Sequence, residues 1–210
     1  MQYFSSDIHF DDNETLKNDN RPFKSPKEFD KFLIKLWNKQ AKKGDIIYVV
    51  GDFIDCDGEG YDSWKTTLLY VNKLKADVVL IMGNNEDRVV KYYFDNDFET
   101  FRKYCIDIGF KEVYKNLDIN INGKEFHLTH KLINTKEGKI NLFGHSHRSL
   151  GLYTPVGFNI GCDLNHFRLY SEEDIEKLIS MKVYLDIWVK VRNDWRNNEA
   201  ELRKLNFLQD

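Results

Sequence analysis

The sequence predicts a layered α/β domain. Three features carry that prediction: short, continuously apolar runs of strand length, apolar residues at helical spacing between them, and a second half punctuated by hairpin signals. Residues 2–6 read as a first buried strand and the polar residues 10–24 as a loop. Ser25-Pro26-Lys27-Glu28 has the form of a helix start, with Ser25 as cap, Pro26 in the first helical position and Glu28 closing a capping box. Phe29, Phe32, Leu33, Leu36 and Trp37 then follow at the spacing of one buried face, and Gly44 ends the helix. Ile46–Val50 is β-branched and apolar throughout, as a strand covered on both faces requires. A second helix is expected over 63–75, a third buried strand over 78–82, and helical segments over 87–93 and 98–108. Residues 112–121 and 124–129 read as strands joined at Asn122-Gly123, a dipeptide suited to a tight hairpin turn. Ile140–Phe143 is a further short strand, and residues 151–161 alternate around Pro155-Val156-Gly157 as another hairpin.

After Ser171 a helical pattern returns. Ile175, Leu178, Ile179, Leu185, Trp188, Val191 and Trp195 share one broad face, and residues 192–206 read as a partly solvated helix or a docking element. The expected organisation is a main domain over 1–170 and a helical extension over 171–210 packed on it. The pattern does not fix the order of strands in the sheet or the oligomeric state.

Composition excludes several classes. Net charge is −3, so the chain has no overall basic field for generic polyanion binding. Cys56, Cys105 and Cys162 are widely spaced and contain no C-x-x-C pair, which argues against a structural zinc site of that kind and for reduced thiols in a cytoplasmic protein. The start, Met-Gln-Tyr-Phe-Ser-Ser-Asp, has neither the basic flank nor the apolar run of a signal peptide or membrane anchor.

The chemistry lies at the strand ends. Asp7 and His9 follow the first strand, Asp52 follows Gly51, Asn84 follows Gly83, His130 ends the strand over 124–129, and His145 and His147 follow Ile140–Phe143. Ligands in open α/β sheets gather at the carboxyl ends of strands, so these groups are expected to converge. In an extended segment residues two apart face the same way, which lets each pair, Asp7/His9 and His145/His147, face one metal or one cleft. The donor set is nitrogen and oxygen without thiolate, which suits manganese, iron, zinc or nickel. Singly these motifs are weak, since Gly-Asp and Gly-Asn usually mark turns and a lone buried histidine is more often structural. In this order, each at a strand end, they are specific.

The order Asp7-Ile8-His9, Gly51-Asp52-Phe53-Ile54-Asp55, Gly83-Asn84-Asn85-Glu86, His130 and Gly144-His145-Ser146-His147 resembles the calcineurin-like metallophosphoesterases over about residues 3–165. Asn20-Arg21-Pro22-Phe23 and residues 159–165 look like a small bacterial and phage branch of that family. The resemblance implies a two-layer β-sandwich flanked by helices. It also implies two divalent cations, manganese foremost, with iron, zinc, nickel or magnesium as alternatives. One would take Asp7, His9, Asp52 and His147, the other Asp52, Asn84, His130 and His145, with Asp52 bridging. Such a pair clamps phosphate oxygens and activates water. The implied activity is hydrolysis of a small nucleotide-like or nucleic-acid phosphoester. The alternatives are a nuclease, with Tyr61, Trp64, Lys65, Tyr92 and Tyr93 as a weak candidate track, or a phosphate-binding protein with little turnover.

One departure from the family pattern matters. Asn85 stands where the family usually has a histidine beside the substrate, and an amide donates a hydrogen bond but delivers no proton at neutral pH. Three readings remain open here: a leaving group that departs unaided, a proton from another group (a metal-bound water, Asp55, Asp87 or His166), or binding with little turnover. Asn85 and Asp55 are the expected catalytic residues, and Arg21, Asn84 and Asn85 the expected substrate contacts. Asn159 and Asp163 are expected to support the loop beneath the metals. His127 and His166 are expected to lie outside the ligand set.

Overall fold

In the computed structural model, which describes residues 1–56, 60, 62–182 and 186, strands β1 (Gln2–Ser5), β2 (Ile46–Val50), β3 (Asp77–Ile81) and β4 (Glu112–Tyr114) lie side by side in parallel. A second sheet takes β5 (Leu117–Ile121), β6 (Lys124–Leu128), β7 (Ile140–Phe143), β8 (Tyr153–Thr154) and β9 (Gly157–Asn159) in the order β5-β6-β7-β9-β8. β10 (Tyr170–Ser171) returns to the first sheet, antiparallel to β1. The fold is thus mixed α/β, with two sheets and flanking helices. β1, β2 and β3 are parallel to one another, and so are β6, β7 and β9, so the carboxyl ends within each set open on one edge.

The helices are α1 (Asn13–Asn18), α2 (Pro26–Gln40), α3 (Ser63–Leu68), α4 (Asn84–Tyr93) and α5 (Phe98–Ile108). α2 starts as its sequence demands: Ser25 Oγ accepts from the Glu28 amide at 3.3 Å, and Pro26 sits in the first turn. Phe29, Leu33 and Trp37 are buried on its inner face, and Trp37 Nε1 donates to the Phe167 carbonyl at 2.9 Å. Burial of each large apolar side chain contributes about 1.5–3 kcal/mol. β2 is buried along Ile47–Val50, which explains its unbroken apolar run.

Four local readings change. The polar stretch 10–24 holds α1, whose first turn is capped by Asp12: Oδ1 accepts from the amides of Glu14 at 2.7 Å and Thr15 at 2.9 Å. Leu16 is the one buried residue of α1, so no periodic apolar face betrays the helix. The helix expected over 63–75 is α3 followed by a 3₁₀ turn, Leu69–Lys73. α4 begins at Asn84, three residues earlier than expected, because Glu86 turns back to accept from the Gly83 amide at 2.8 Å. Residues 112–121 are not one strand. β4 ends in the first sheet, and after Lys115-Asn116 the chain enters the second as β5. The Asn122-Gly123 turn forms as expected, with φ of 51° and 81°.

By internal contacts the chain forms two compact units, Met1–Glu172 and Glu173–Asp210. In the second, residues 173–182 are helical, with Lys177 Nζ paired to Glu173 Oε1 at 2.8 Å. Leu185, Trp188, Val191, Trp195 and the stretch 192–206 lie outside the described residues. No helix among the described residues is long and apolar enough to cross a membrane.

Candidate metal centre

The loops after β1 and β2 run together beyond the first sheet. The amides of Ile8 and His9 both donate to the Asp52 carbonyl, at 2.9 and 3.0 Å, and the Asp7 amide donates to Gly51 at 3.1 Å. Asp7, His9, Asp52, His145 and His147 all have positive φ, between 44° and 69°. Non-glycine residues adopt this left-handed backbone at a cost, and it concentrates at functional sites. Asp7 and His9 therefore face one cluster by left-handed turns, not by the alternation of an extended strand, whereas His145 and His147 do not share a site: His147 joins Asp7 and His9, and His145 joins Asp52 and His130. Glycine is sterically required at positions 51 and 83. A methyl group on Gly51, itself at φ 85°, would overlap His130 Nδ1, and one on Gly83 would overlap the Asp52 side chain and amide.

The expected ligands fall into two clusters. Asp7, His9 and His147 bring donor atoms within 4.8 Å of one another, and so do Asp52, His130 and His145. Each cluster contains a histidine pair. The rings of His9 and His147 are 5.0 Å apart, and those of His130 and His145 are 5.1 Å apart. Asp52 lies between the clusters: its Oδ2 is 3.6 Å from His9 Nε2 and 3.3 Å from His130 Nε2. Asn84 Oδ1 is 3.1 Å from His130 Nε2, which places it with the second cluster.

The site suits cations on its own chemistry. His9 Nε2 is buried and has no hydrogen-bond partner, a state that a metal bond would relieve. His130 Nε2 faces two acceptors, Asp52 and Asn84. Burial pulls the His130 pKa down, but the Asp52 carboxylate more than offsets this and raises it to about 9. A proton there does electrostatically what a cation would do. Asp52 is likewise opposed by burial, yet His130 and His9 hold its carboxyl well below the usual carboxylate range.

The surrounding groups orient these ligands. His147 Nδ1 contacts Asp19 Oδ2 at 2.5 Å, and His9 Nδ1 lies 3.3 Å from Asp12 Oδ2. His130 Nδ1 meets the Val50 carbonyl at 2.9 Å. Both oxygens of Asp7 accept from the His145 amide, at 2.8 and 3.1 Å. Asn159 Nδ2 donates to the His147 carbonyl at 2.9 Å and to Ser146 Oγ at 3.0 Å, which ties down the Gly144–His147 loop. Fully buried Glu86 accepts from the amides of Asp52 at 3.0 Å and Phe53 at 2.9 Å. Burial first, and then the Asp52 charge, push its pKa up to about 7.

Several expected residues are placed differently. Arg21 turns inward, away from any substrate. Its guanidinium binds Asp163 through Nε at 3.1 Å and Nη2 at 2.8 Å, and the carbonyls of Ile8 and Asp7 at 2.7 and 2.8 Å. The side chain is 1% exposed, so a phosphate cannot reach it. Asn85 is largely buried but does line the cleft with His9, Asp52 and Asn84. It donates from Nδ2 to the Ile54 carbonyl at 3.1 Å, and its Oδ1 accepts from Arg88 at 3.0 Å. Asp55 groups with His9 and Asp12 at the edge of the first cluster. Asp87 lines a separate cavity with Lys115 and Lys131. His127 is held by Asp118 at 2.6 Å, and exposed His166 joins no cluster among the described residues. Of the aromatic track, Trp64 is buried and packs on Tyr93, Phe94 and Tyr104, Lys65 and Tyr92 are exposed, and Tyr61 lies outside the described residues.

Asp12, Asp19 and Glu86 were not singled out from sequence. Glu86 stood inside a recognised motif, and Asp12 carried a helix-cap signal. Asp19 carried none, since its histidine is 128 positions away.

Comparison with known proteins agrees with this geometry. The profile of the calcineurin-like phosphoesterase family matches residues 3–195. The uncharacterized protein MJ1445 of Methanocaldococcus jannaschii is 34% identical over 95 residues, covering 43% of this chain and 52% of that protein. A 37-residue segment is 60% identical to GTPase Era of Alkaliphilus oremlandii, covering 18% of this chain and 12% of that protein. The chain thus spans about half, or much less, of the length of these relatives. Among solved structures, the Aquifex aeolicus protein of unknown function AQ665 superposes with a TM-score of 0.58 at 22% identity, over 85% of this chain and 98% of that one, a likeness of fold.

Proposed function

The chain belongs to the calcineurin-like phosphoesterase family, and from that premise we propose that it hydrolyses a small phosphoester, foremost a phosphodiester, at a centre holding two divalent cations. One observation carries the reading: a single oxygen of Asp52 lies within 3.6 Å of the inward nitrogens of both His9 and His130. A carboxylate so placed is suited to bridging. Asp7, His9 and His147 would complete one half, and Asn84, His130 and His145 the other. The cations, when bound, polarise phosphate oxygens and activate water.

The protein's own part is positioning and charge. Asp19 and Asp12 fix the orientation and the donor nitrogen of His147 and His9. Glu86 holds the Asp52 loop through its amides, so Asp52 has no freedom to turn away. Asp55 borders the cleft and is the carboxylate best placed to exchange a proton there. The cleft has a volume of about 190 Å³, below the roughly 300–1,000 Å³ usual for sites that engulf a drug-sized ligand. It therefore fits the reacting phosphoryl portion of a substrate. Asp12, Glu14 and Asp55 on its wall favour a small phosphoester over a long nucleic acid, whose repeated charges they would repel.

The test is manganese-dependent hydrolysis of an activated aryl phosphodiester. Turnover should need the metal and be lost on Asp52→Asn, while the fold is retained. A chain that binds manganese and hydrolyses no phosphoester would overturn this reading.

A further inference from the structure

The cleft wall carries carboxylates from Asp12, Glu14, Asp52 and Asp55, and among its described lining residues Arg88 is the only lysine or arginine. Arg88 lies one turn into α4 and is exposed. One side of its guanidinium is fastened: Nη1 donates to Asn85 Oδ1 at 3.0 Å and to the Cys56 carbonyl at 3.1 Å. Asn85 is itself locked, with Nδ2 on the Ile54 carbonyl and its backbone amide on Asp52 Oδ1, both buried contacts. No described carboxylate pairs with Arg88. This arrangement differs from that of Arg21, whose donors are engaged on every side, and from that of Arg102, which is paired with Glu99 and Glu112.

We infer that Arg88 is the substrate-contacting cation of this cleft, binding a phosphoryl oxygen through Nε and Nη2, and that Asn85 is its positioning residue. This rests on the phosphoesterase reading of the same site. A guanidinium fork matches phosphate geometry, and a fork already fastened at one nitrogen loses less freedom on binding. Arginine stays protonated, so it stabilises charge on the phosphoryl group or leaving oxygen and transfers no proton. Asn85 thereby acquires a role that needs no acid: its side-chain oxygen holds Arg88, while its Nδ2 donates to the Ile54 carbonyl and lies 3.5 Å from His9 Nδ1.

The probe is inorganic phosphate, titrated calorimetrically into the manganese-loaded protein. Arg88→Ala should weaken phosphate binding about 10- to 100-fold, and Arg88→Lys by less. Manganese stoichiometry should be unchanged, since Arg88 contacts no proposed ligand. Asn85→Ala should weaken phosphate severalfold in the parent chain and have no further effect in the Arg88→Ala background, a non-additivity that a merely structural role would not produce. Equal phosphate affinity in Arg88→Ala and the parent overturns the inference and leaves the metal reading standing. Loss of manganese from Arg88→Ala also overturns it, because the side chain would then support the centre itself. A parent chain that takes up no manganese overturns both.

Discussion

The two halves of the proposed metal centre carry similar donors but are held differently. In the half built on Asp7, His9 and His147, both histidines rest on carboxylates, Asp12 and Asp19. In the half built on Asn84, His130 and His145, His130 rests on the Val50 carbonyl, and exposed His145 has no ring hydrogen bond among the described residues. A carboxylate behind a ligating histidine fixes its orientation and raises its basicity. The first half is thus more preorganised and should hold its cation more tightly. The second half should exchange its cation more readily.

The largest expected effect removes what the halves share. Asp52→Asn should lower kcat at least ~1,000-fold and cut tight manganese binding to one site, because both halves draw on the same oxygen. Next is the support under the first half. Arg21→Met leaves buried Asp163 with only the more distant Arg148, at 3.7 Å, as a cationic partner and frees the Asp7–Ile8 turn. Loss of one partner of a buried pair costs about 3–5 kcal/mol, which urea unfolding would register. A pH series on the metal-free protein then probes His130 of the second half. His130 has a folded pKa of about 9, above the ordinary histidine value of 6.5. The protonated ring therefore stabilises the fold fully below pH about 6.5, and that contribution is lost as pH rises toward 9. The loss is on the order of 3 kcal/mol. Thermal midpoints in chelator should fall across this window, while saturating manganese, which needs the neutral ring, should remove the fall. The smallest effect separates the orienting groups. Asp19→Asn should weaken the tighter site about 10- to 100-fold, whereas His145→Ala should empty the weaker site with stability changed by no more than about 0.5 kcal/mol. Equal effects of both variants on both sites would erase the proposed difference.

The sequence made the donors themselves legible, because Asp7, His9, Asp52, Asn84, His130, His145 and His147 each follow a recognisable buried strand. It did not make their support legible. Asp19 meets His147 across 128 positions, a closeness created only by two loops folding over the same edge. Arg21 sits in a polar stretch that reads as surface, yet its guanidinium lies over the Phe29 ring, 4.6 Å from the centroid, and pairs with Asp163. The change of sheet at Lys115-Asn116 left no mark either, since β4 and β5 are separated by two ordinary polar residues and no glycine or proline. Trp64 shows the opposite error: an aromatic residue beside a lysine suggested a binding track, but it lies in the core.

The central claim is a centre of two unequal cation sites joined by Asp52. Calorimetric titration of manganese into the chelator-treated protein tests it most directly. Two sites of distinct affinity are expected in the parent chain, with Asp19→Asn weakening the tighter one. A single site, or two sites indifferent to both Asp19→Asn and Asp52→Asn, would contradict it.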